Sequence, residues 1–120
     1  MAAFDFHRGQ APILPLQRAS VFFDGTFAEP KLSHPECVAL GPDGWIWAGN
    51  QDGDIVRIAP DGSTMEKVAS TGGFALGLAF DSDRALFVCD LKHAAVFKLD
   101  LAMKALSRFT APGIMIPNFP

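Results

Sequence analysis

The sequence predicts an all-β fold made of repeated four-stranded antiparallel units, which is the architecture of a β-propeller. Two unit-length segments, beginning at Val38 and Leu78, can be aligned with an offset of 40 residues that becomes 41 by Ile58 and Leu99. Apolar residues alternate with polar ones over short stretches, and Pro-Asp-Gly or Asp-Gly pairs separate the stretches. The 3.6-residue apolar period of a helix is absent, so the units are predicted to consist of strands.

The first unit contains four predicted strands separated by turns. "CVAL" reads as the first strand, "GPDG" as a turn and "WIWAG" as the second strand. "NQDGD" contains the Asp-Gly pair that is typical of a hairpin turn, and "DIVRI" forms the third strand. "PDGS" turns the chain again, and "MEKVAS" is the outer and more polar strand. Trp45 and Trp47 lie two apart, so they are predicted to point to the same side of their strand.

This pattern divides the chain into a series of predicted segments. They are a tail (1–20), a possible closing strand and linker (21–33), a first blade (34–74), a second blade (75–112) and the start of a third blade (113–120). A β-sandwich or a small barrel is the alternative architecture, and the repeat argues against both. About two blades of a six-bladed propeller are expected in this chain.

Composition restricts the partners that can be expected. The net charge is −3 and no basic run occurs, which argues against a nucleic acid partner. No apolar stretch approaches a membrane span, and the first twenty residues lack the apolar core of a secretory signal, so a soluble cytoplasmic protein is expected. Cys37 and Cys89 are expected to be free, because both fall in strands and neither has zinc-ligand spacing.

One carboxylate stands out against this β pattern. Glu36 follows a proline and precedes the first strand of the first unit, a position that lies at the mouth of a propeller's central channel. A spacing of 41 residues leads from Glu36 to Gly77 and then to Asn118, which also follows a proline. Equivalent blade positions converge on one axis, so Glu36 and Asn118 are predicted to face the same volume. A carboxylate and an amide oxygen suit a hard divalent cation.

The stretches that carry these positions resemble one known family. "HPECVALGPDGWIWAGNQDGDIVRI" (34–58) and "GGFALGLAFDSDRALFVCD" (72–90) resemble the senescence-marker-protein, gluconolactonase and luciferin-regenerating-enzyme family, which is regucalcin-like, and its strictosidine-synthase-like relatives. In that family the glutamate of a "GPE" turn binds the catalytic metal, and Glu36 matches it. Asn118 matches the asparagine of a "PND" turn, although Phe119 replaces the aspartate. Asp90 matches the last residue of the second-blade pattern.

The resemblance implies a metal-dependent hydrolase that acts on a small lactone or ester. Glu36 and Asn118 are the expected metal ligands, and Asn118 and His34 are expected to contact substrate. The expected ion is Ca²⁺, with Mg²⁺, Mn²⁺ or Zn²⁺ as other possibilities, and its role would be to polarise the carbonyl and activate water. Two other functions stay open: a non-catalytic binding scaffold, and a strictosidine-synthase-like protein that needs no metal.

The number of blades bears on activity. Two blades cannot close a ring of four to eight, and the family's other metal ligands lie in later blades. The expectation is therefore a truncated and inactive piece, with assembly of several copies into one ring as the alternative. Open blade faces are also expected to promote self-association.

Overall fold

The computed structural model describes residues 13–110, which form eight short strands and one short helix. The helix is a 3₁₀ turn, Leu16–Arg18, and no helix among the described residues has the length and apolar character needed to cross a membrane. The strands are β1 (Val38–Leu40), β2 (Ile46–Gly49), β3 (Asp54–Ile58), β4 (Met65–Ser70), β5 (Ala75–Phe80), β6 (Ala85–Asp90), β7 (Ala95–Asp100) and β8 (Ala105–Arg108).

The strands form two antiparallel sheets in simple meander order. Blade 1 has the order β1-β2-β3-β4, and blade 2 has the order β5-β6-β7-β8. The all-β prediction and the division into two four-stranded units are therefore confirmed. Each strand pairs with the next one along the chain because short turns can join only antiparallel neighbours.

The internal repeat is reproduced in the strand register. Ile46 pairs with Ile58 in blade 1, and Leu86 pairs with Leu99 in blade 2, which gives the offsets of 40 and 41 that the sequence indicates. The added residue lies in the turn between the second and third strands. Asn50 N–H donates to the Asp54 carbonyl and its counterpart Asp90 pairs with Ala95, so three residues separate the closing pair in blade 1 and four separate it in blade 2. The predicted adjustment of register is thus a longer hairpin turn.

The two blades share one apolar core. Trp47 and Ile55 of blade 1 join Leu78, Leu86 and Leu99 of blade 2 in a single buried cluster. The ring of Trp47 meets Phe80 edge to face, with ring centroids 5.8 Å apart. Strands β2 and β5 approach each other closely. A methyl group added at Gly49 of β2 would come within 2.6 Å of the methyl carbon of Ala75 in β5. Face-to-face packing of successive meanders is the arrangement expected of neighbouring propeller blades.

Antiparallel order places the connections at two opposite edges of the sheets. We define the upper edge as the one that carries two lead-in segments, 31–37 before β1 and 71–74 before β5, and the hairpin turns 50–53 and 91–94. The lower edge carries the turns 41–45, 59–64, 81–84 and 101–104. Glu36 and His34 belong to the upper edge.

Residues 21–33 form no strand in the described part of the chain and instead lie along blade 1. The Phe22 carbonyl sits beside Gly62, and Leu32 N–H donates to the Gly25 carbonyl (3.0 Å). The proposed closing strand would need a last blade as its partner, so its pairing stays a prediction.

Candidate functional site at the upper edge

Glu36 lies in the lead-in segment directly before β1. Its side chain is exposed and makes no ion pair or side-chain hydrogen bond with any described residue. The chain therefore leaves this carboxylate free at the end of an inner strand. Its predicted place at the mouth of a central channel stays a prediction.

His34 is held two residues earlier in an unusual backbone conformation. Its φ angle is +47°, in the left-handed region that side chains other than glycine seldom adopt. Its ring is exposed, and Nδ1 lies 3.3 Å from the Ser33 hydroxyl. Asn118, the other predicted partner of Glu36, lies outside the described residues. Convergence of Glu36 with Asn118 consequently stays a prediction.

The lead-in segments of the two blades differ in length by one residue. Ser33 in blade 1 and Phe74 in blade 2 make the same hydrogen bonds, yet Val38 and Leu78 occupy the same ladder position. Counted from the start of the segment, Glu36 is therefore matched by Gly77. Counted back from the strand, it is matched by Leu76. The 41-residue spacing from Glu36 to Gly77 corresponds to the first count, and the offset of 40 between Val38 and Leu78 corresponds to the second.

The described residues do not make a complete metal site. No group of three or more His, Cys, Asp or Glu side chains within 13–110 is arranged to hold a metal ion. Glu36 alone supplies one carboxylate, whereas Ca²⁺ takes six to eight oxygen ligands and Mg²⁺ takes six. The described part of the chain thus does not by itself make the metal centre that the resemblance implies.

Asn50 is a buried polar residue of the upper edge that ties the lead-in segment to blade 1. Its side chain is 1% exposed. Ser33 N–H donates to Asn50 Oδ1 (3.2 Å), and Asn50 Nδ2 donates to the Lys31 carbonyl (2.9 Å). Its backbone carbonyl also accepts a hydrogen bond from Ala75 N–H of blade 2 (3.1 Å). Asn50 therefore fixes the approach to Glu36 and joins the blades.

Asp90 occupies the equivalent place at the end of β6 and is 3% exposed. Phe74 N–H donates to Oδ2 (3.0 Å), His93 N–H donates to Oδ1 (2.8 Å), and the Thr71 hydroxyl donates to the same carboxylate. A buried carboxylate is tolerated because these donors replace its hydration. With these three hydrogen bonds in place, Asp90 acts as a structural clamp between the turn 91–94 and the blade-to-blade connection 71–74.

His93 belongs to the same cluster. Its Nε2 donates to the Thr71 carbonyl (2.9 Å), and its ring meets Phe97 edge to face at 5.6 Å. The sequence favours a surface turn residue here over an acid–base role. The structure shows a half-buried histidine that connects the turn 91–94 to the blade-to-blade connection.

The two clamps show what sequence reasoning missed at this edge. Asn50 is easily taken for a turn residue because it precedes the Asp-Gly pair of its hairpin. The available signal is the repeat itself, which puts a short polar side chain at positions 50 and 90, directly after two apolar strands. A polar residue that recurs at a buried strand end needs hydrogen-bond partners. The partners, at positions 31, 33, 71 and 74, follow no sequence pattern that we could have used.

The comparisons with known proteins agree with this architecture. A family model described as strictosidine synthase-like, N-terminal, matches residues 26–58. No curated protein matches the chain significantly. Among solved structures, a catalytically inactive virginiamycin B lyase from Staphylococcus aureus with quinupristin is similar, with 24% identity and a TM-score of 0.57. A selenomethionine-substituted form of the same enzyme has 22% identity and a TM-score of 0.58.

These similarities cover unequal parts of the proteins compared. Each solved structure matches 68% of this chain, but the chain spans only 28% of either lyase. At such identities the likeness shows the fold, which is that of a propeller, and the family match covers the segment that carries Glu36 and Asn50. The chain therefore has two consecutive blades of β-propeller type, and residues 26–58 are similar to the strictosidine synthase-like family model.

Proposed function

We propose that this chain supplies the first two blades of a metal-dependent lactone or ester hydrolase of propeller type, with Glu36 as one metal ligand. The observation that carries the proposal is the free, exposed carboxylate of Glu36 at the head of an inner strand. Asp43, Asp54 and Glu66 of blade 1 are engaged in ion pairs, and Asp52, which is not, lies in a hairpin turn rather than at the head of an inner strand. The match of residues 26–58 to a propeller family model supports the position of Glu36 within its blade.

Asn118 completes this proposal as the second oxygen donor or as a hydrogen-bond donor to substrate, and His34 is a substrate contact at the rim. The preferred ion is Ca²⁺, because a carboxylate and an amide oxygen are hard ligands. Two such ligands bind an ion weakly. The chain alone is therefore expected to bind metal with low affinity and to hydrolyse no lactone.

A strictosidine-synthase-like protein without a catalytic metal is the second candidate, because that family model is the one that matches. The two candidates differ in what they require of Glu36. A hydrolase needs its negative charge, whereas the second candidate does not. The charge-removing variant Glu36→Gln separates them.

Paramagnetic broadening by Mn²⁺ tests the proposal on the chain itself. In isotope-labelled protein we expect the amide signals of Glu36 and Cys37 to broaden at lower Mn²⁺ concentrations than those of other surface segments. Glu36→Gln should abolish this preference, since it removes the carboxylate but keeps the shape of the side chain. Asp52→Asn, at another exposed carboxylate of the upper edge, is the matched control and should leave it unchanged.

One outcome of the Mn²⁺ experiment would contradict the proposal. If Glu36→Gln and the parent chain broaden alike, Glu36 is a solvated strand end and the hydrolase proposal fails. A completed propeller with the missing blades joined to this chain provides the quantitative form of the test. There, calorimetry should show Ca²⁺ binding that Glu36→Gln largely removes.

Self-association is proposed through the open faces of the two blades. Val38 and Leu40 of the inner strand of blade 1 are 66% and 72% exposed, and Phe109 beyond β8 is 62% exposed. Apolar strands in such positions favour pairing with another copy. Sedimentation velocity should show association that rises with concentration and falls in Leu40→Lys. Leu16→Lys, in the 3₁₀ helix outside both sheets, should leave it unchanged, and a monomer at all concentrations would contradict the proposal.

A further inference from the structure

A groove at the lower edge lies between the two blades, on the opposite side from Glu36. Its cavity has a volume of about 400 Å³, within the range of small-molecule sites. The floor is apolar and includes Trp47, Val68 and Ala85, and the walls are turns from both blades. Because both walls come from residues 42–104, the groove does not depend on any further blade.

Arg57 forms one wall of this groove with its charge already balanced. Its guanidinium stacks over the ring of Trp45 at 4.4 Å and lies 5.8 Å from the ring of Trp47. It donates to Asp43 (3.3 Å) and to Glu66 (2.6 Å). These contacts hold Arg57 rigidly against the aromatic floor, so it shapes the groove and contributes little free charge.

Two other cations line the groove in a backbone conformation that favours glycine. Arg84 has φ +65° and Lys104 has φ +51°, and both are exposed. Blade 1 has Gly44, with φ +83°, at the position equivalent to Arg84. A side chain other than glycine costs about 1 kcal/mol in this region. In each of the two lower-edge turns of blade 2, a cation therefore occupies a place where glycine would relieve strain.

Two carboxylates accompany these cations along the groove. Asp83 and Asp100 also line it, and neither forms an ion pair with a described residue, nor do Arg84 and Lys104. Two positive and two negative side chains without an ion-pair partner among the described residues thus surround an apolar floor, and Asp100 Oδ1 also accepts a hydrogen bond from Met103 N–H (3.0 Å). Such a balance disfavours a polyanion or a polycation and favours a ligand that carries one charge of each sign.

We propose that this groove binds a small zwitterion with an apolar side chain, of the class of a free aromatic amino acid. Arg84 and Lys104 take the carboxylate, and Asp83 and Asp100 take the ammonium group. The ligand side chain packs on Trp47, Val68 and Ala85. The groove is distinct from the site proposed around Glu36, and binding there does not depend on a metal.

Three probe ligands test the charge requirement on the full chain. L-Phenylalanine should change the fluorescence of Trp45 and Trp47, and calorimetry should give a dissociation constant in the millimolar range. Phenethylamine lacks the carboxylate, phenylpropionate lacks the ammonium group, and each should bind about tenfold more weakly, because each loses one set of charged hydrogen bonds. Absence of L-phenylalanine binding at about 10 mM, or equal binding of all three ligands, overturns the proposal.

Glycine variants remove the two cations of the groove without weakening the fold. Arg84→Gly and Lys104→Gly should each reduce L-phenylalanine affinity several-fold while leaving the chain at least as stable, because glycine relieves the strained conformation. Ala94→Gly is the matched control, since Ala94 has φ +49° but lies at the upper edge. It should gain the same relief without loss of affinity. Unchanged affinity in both cation variants contradicts the assignment, and Glu36→Gln should not alter binding.

Discussion

Blade 1 and blade 2 have the same strand order, but different residue types occupy the positive-φ positions of their hairpin turns. In blade 1 the hairpin turns reach positive φ at glycines, Gly44, Gly53 and Gly62. In blade 2 the corresponding turns reach positive φ at Arg84, Ala94 and Lys104. The strand ladders therefore impose the left-handed conformation on whatever residue the turn contains. A turn sequence without glycine can be folded into the same geometry at a cost in strain.

The blades also differ in the charge of the clamp at their upper edge. Asn50 is neutral and uses both an acceptor and a donor, whereas Asp90 is a carboxylate that only accepts. The lead-in segment of blade 1 offers both an N–H and a carbonyl to its clamp, whereas that of blade 2 offers only N–H and O–H donors. The chemical type of each clamp thus follows from what the adjoining segment presents.

The largest effect is expected from removing the clamps. Asp90→Ala leaves the half-buried N–H groups of Phe74 and His93 without acceptors, at a cost of about 3 kcal/mol in the free energy of unfolding. Asn50→Ala should cost about 2 kcal/mol, because its partner Lys31 is exposed and water can replace part of the loss. Urea denaturation followed by tryptophan fluorescence measures both.

A control for this pair is Asp52→Ala, an exposed carboxylate in an upper-edge turn, which should change stability by less than about 0.5 kcal/mol. Equal and small losses in all three variants would show that the clamps are not needed for folding.

A smaller effect is expected from exchanging turn residues between the blades. Gly53→Ala should destabilise the chain by about 2 kcal/mol, because φ is +84° and the new methyl would lie 2.5 Å from the Thr71 hydroxyl oxygen and close to Gly73 N. Ala94→Gly should stabilise it by about 0.5 kcal/mol through relief of strain. Thermal unfolding monitored by circular dichroism gives both signs. A loss of stability in both variants would mean that the strain at Ala94 is negligible.

The smallest effect concerns Asp61 in the third turn of blade 1, which has Ala102 as its counterpart. The hydroxyl and N–H of Ser63 lower the pKa of Asp61. A carboxyl with a lowered pKa in the folded state contributes stability above its unfolded pKa, and that contribution is lost as the pH falls through the folded value. NMR titration should place Asp61 below the usual aspartate range in the parent chain and closer to it in Ser63→Ala. The same value in both would exclude the hydroxyl as the cause.

Much of the fold could be predicted because its signals are local. Alternation in "DIVRI" and the Asp-Gly pair at 52–53 indicate a strand and its hairpin turn from adjacent residues alone. The register of Ile46 against Ile58 follows once the turn length is fixed. The candidate site was predicted less completely. Glu36 precedes β1, but its proposed partner Asn118 lies outside the described residues, so their convergence stays a prediction, and the function of Asn50 was not foreseen.

The sequence by itself determined the β-class of this protein, its two units and the order of strands within each, because side-chain alternation and turn residues act over a few positions. Only the tertiary structure decided how the units meet. It brought Trp47 against Phe80, matched Asp90 with Thr71 and Phe74, and placed Arg84 and Lys104 on one groove. These relations join residues of different strands and turns. They depend on how two sheets pack face to face, and no local pattern in the chain records that packing.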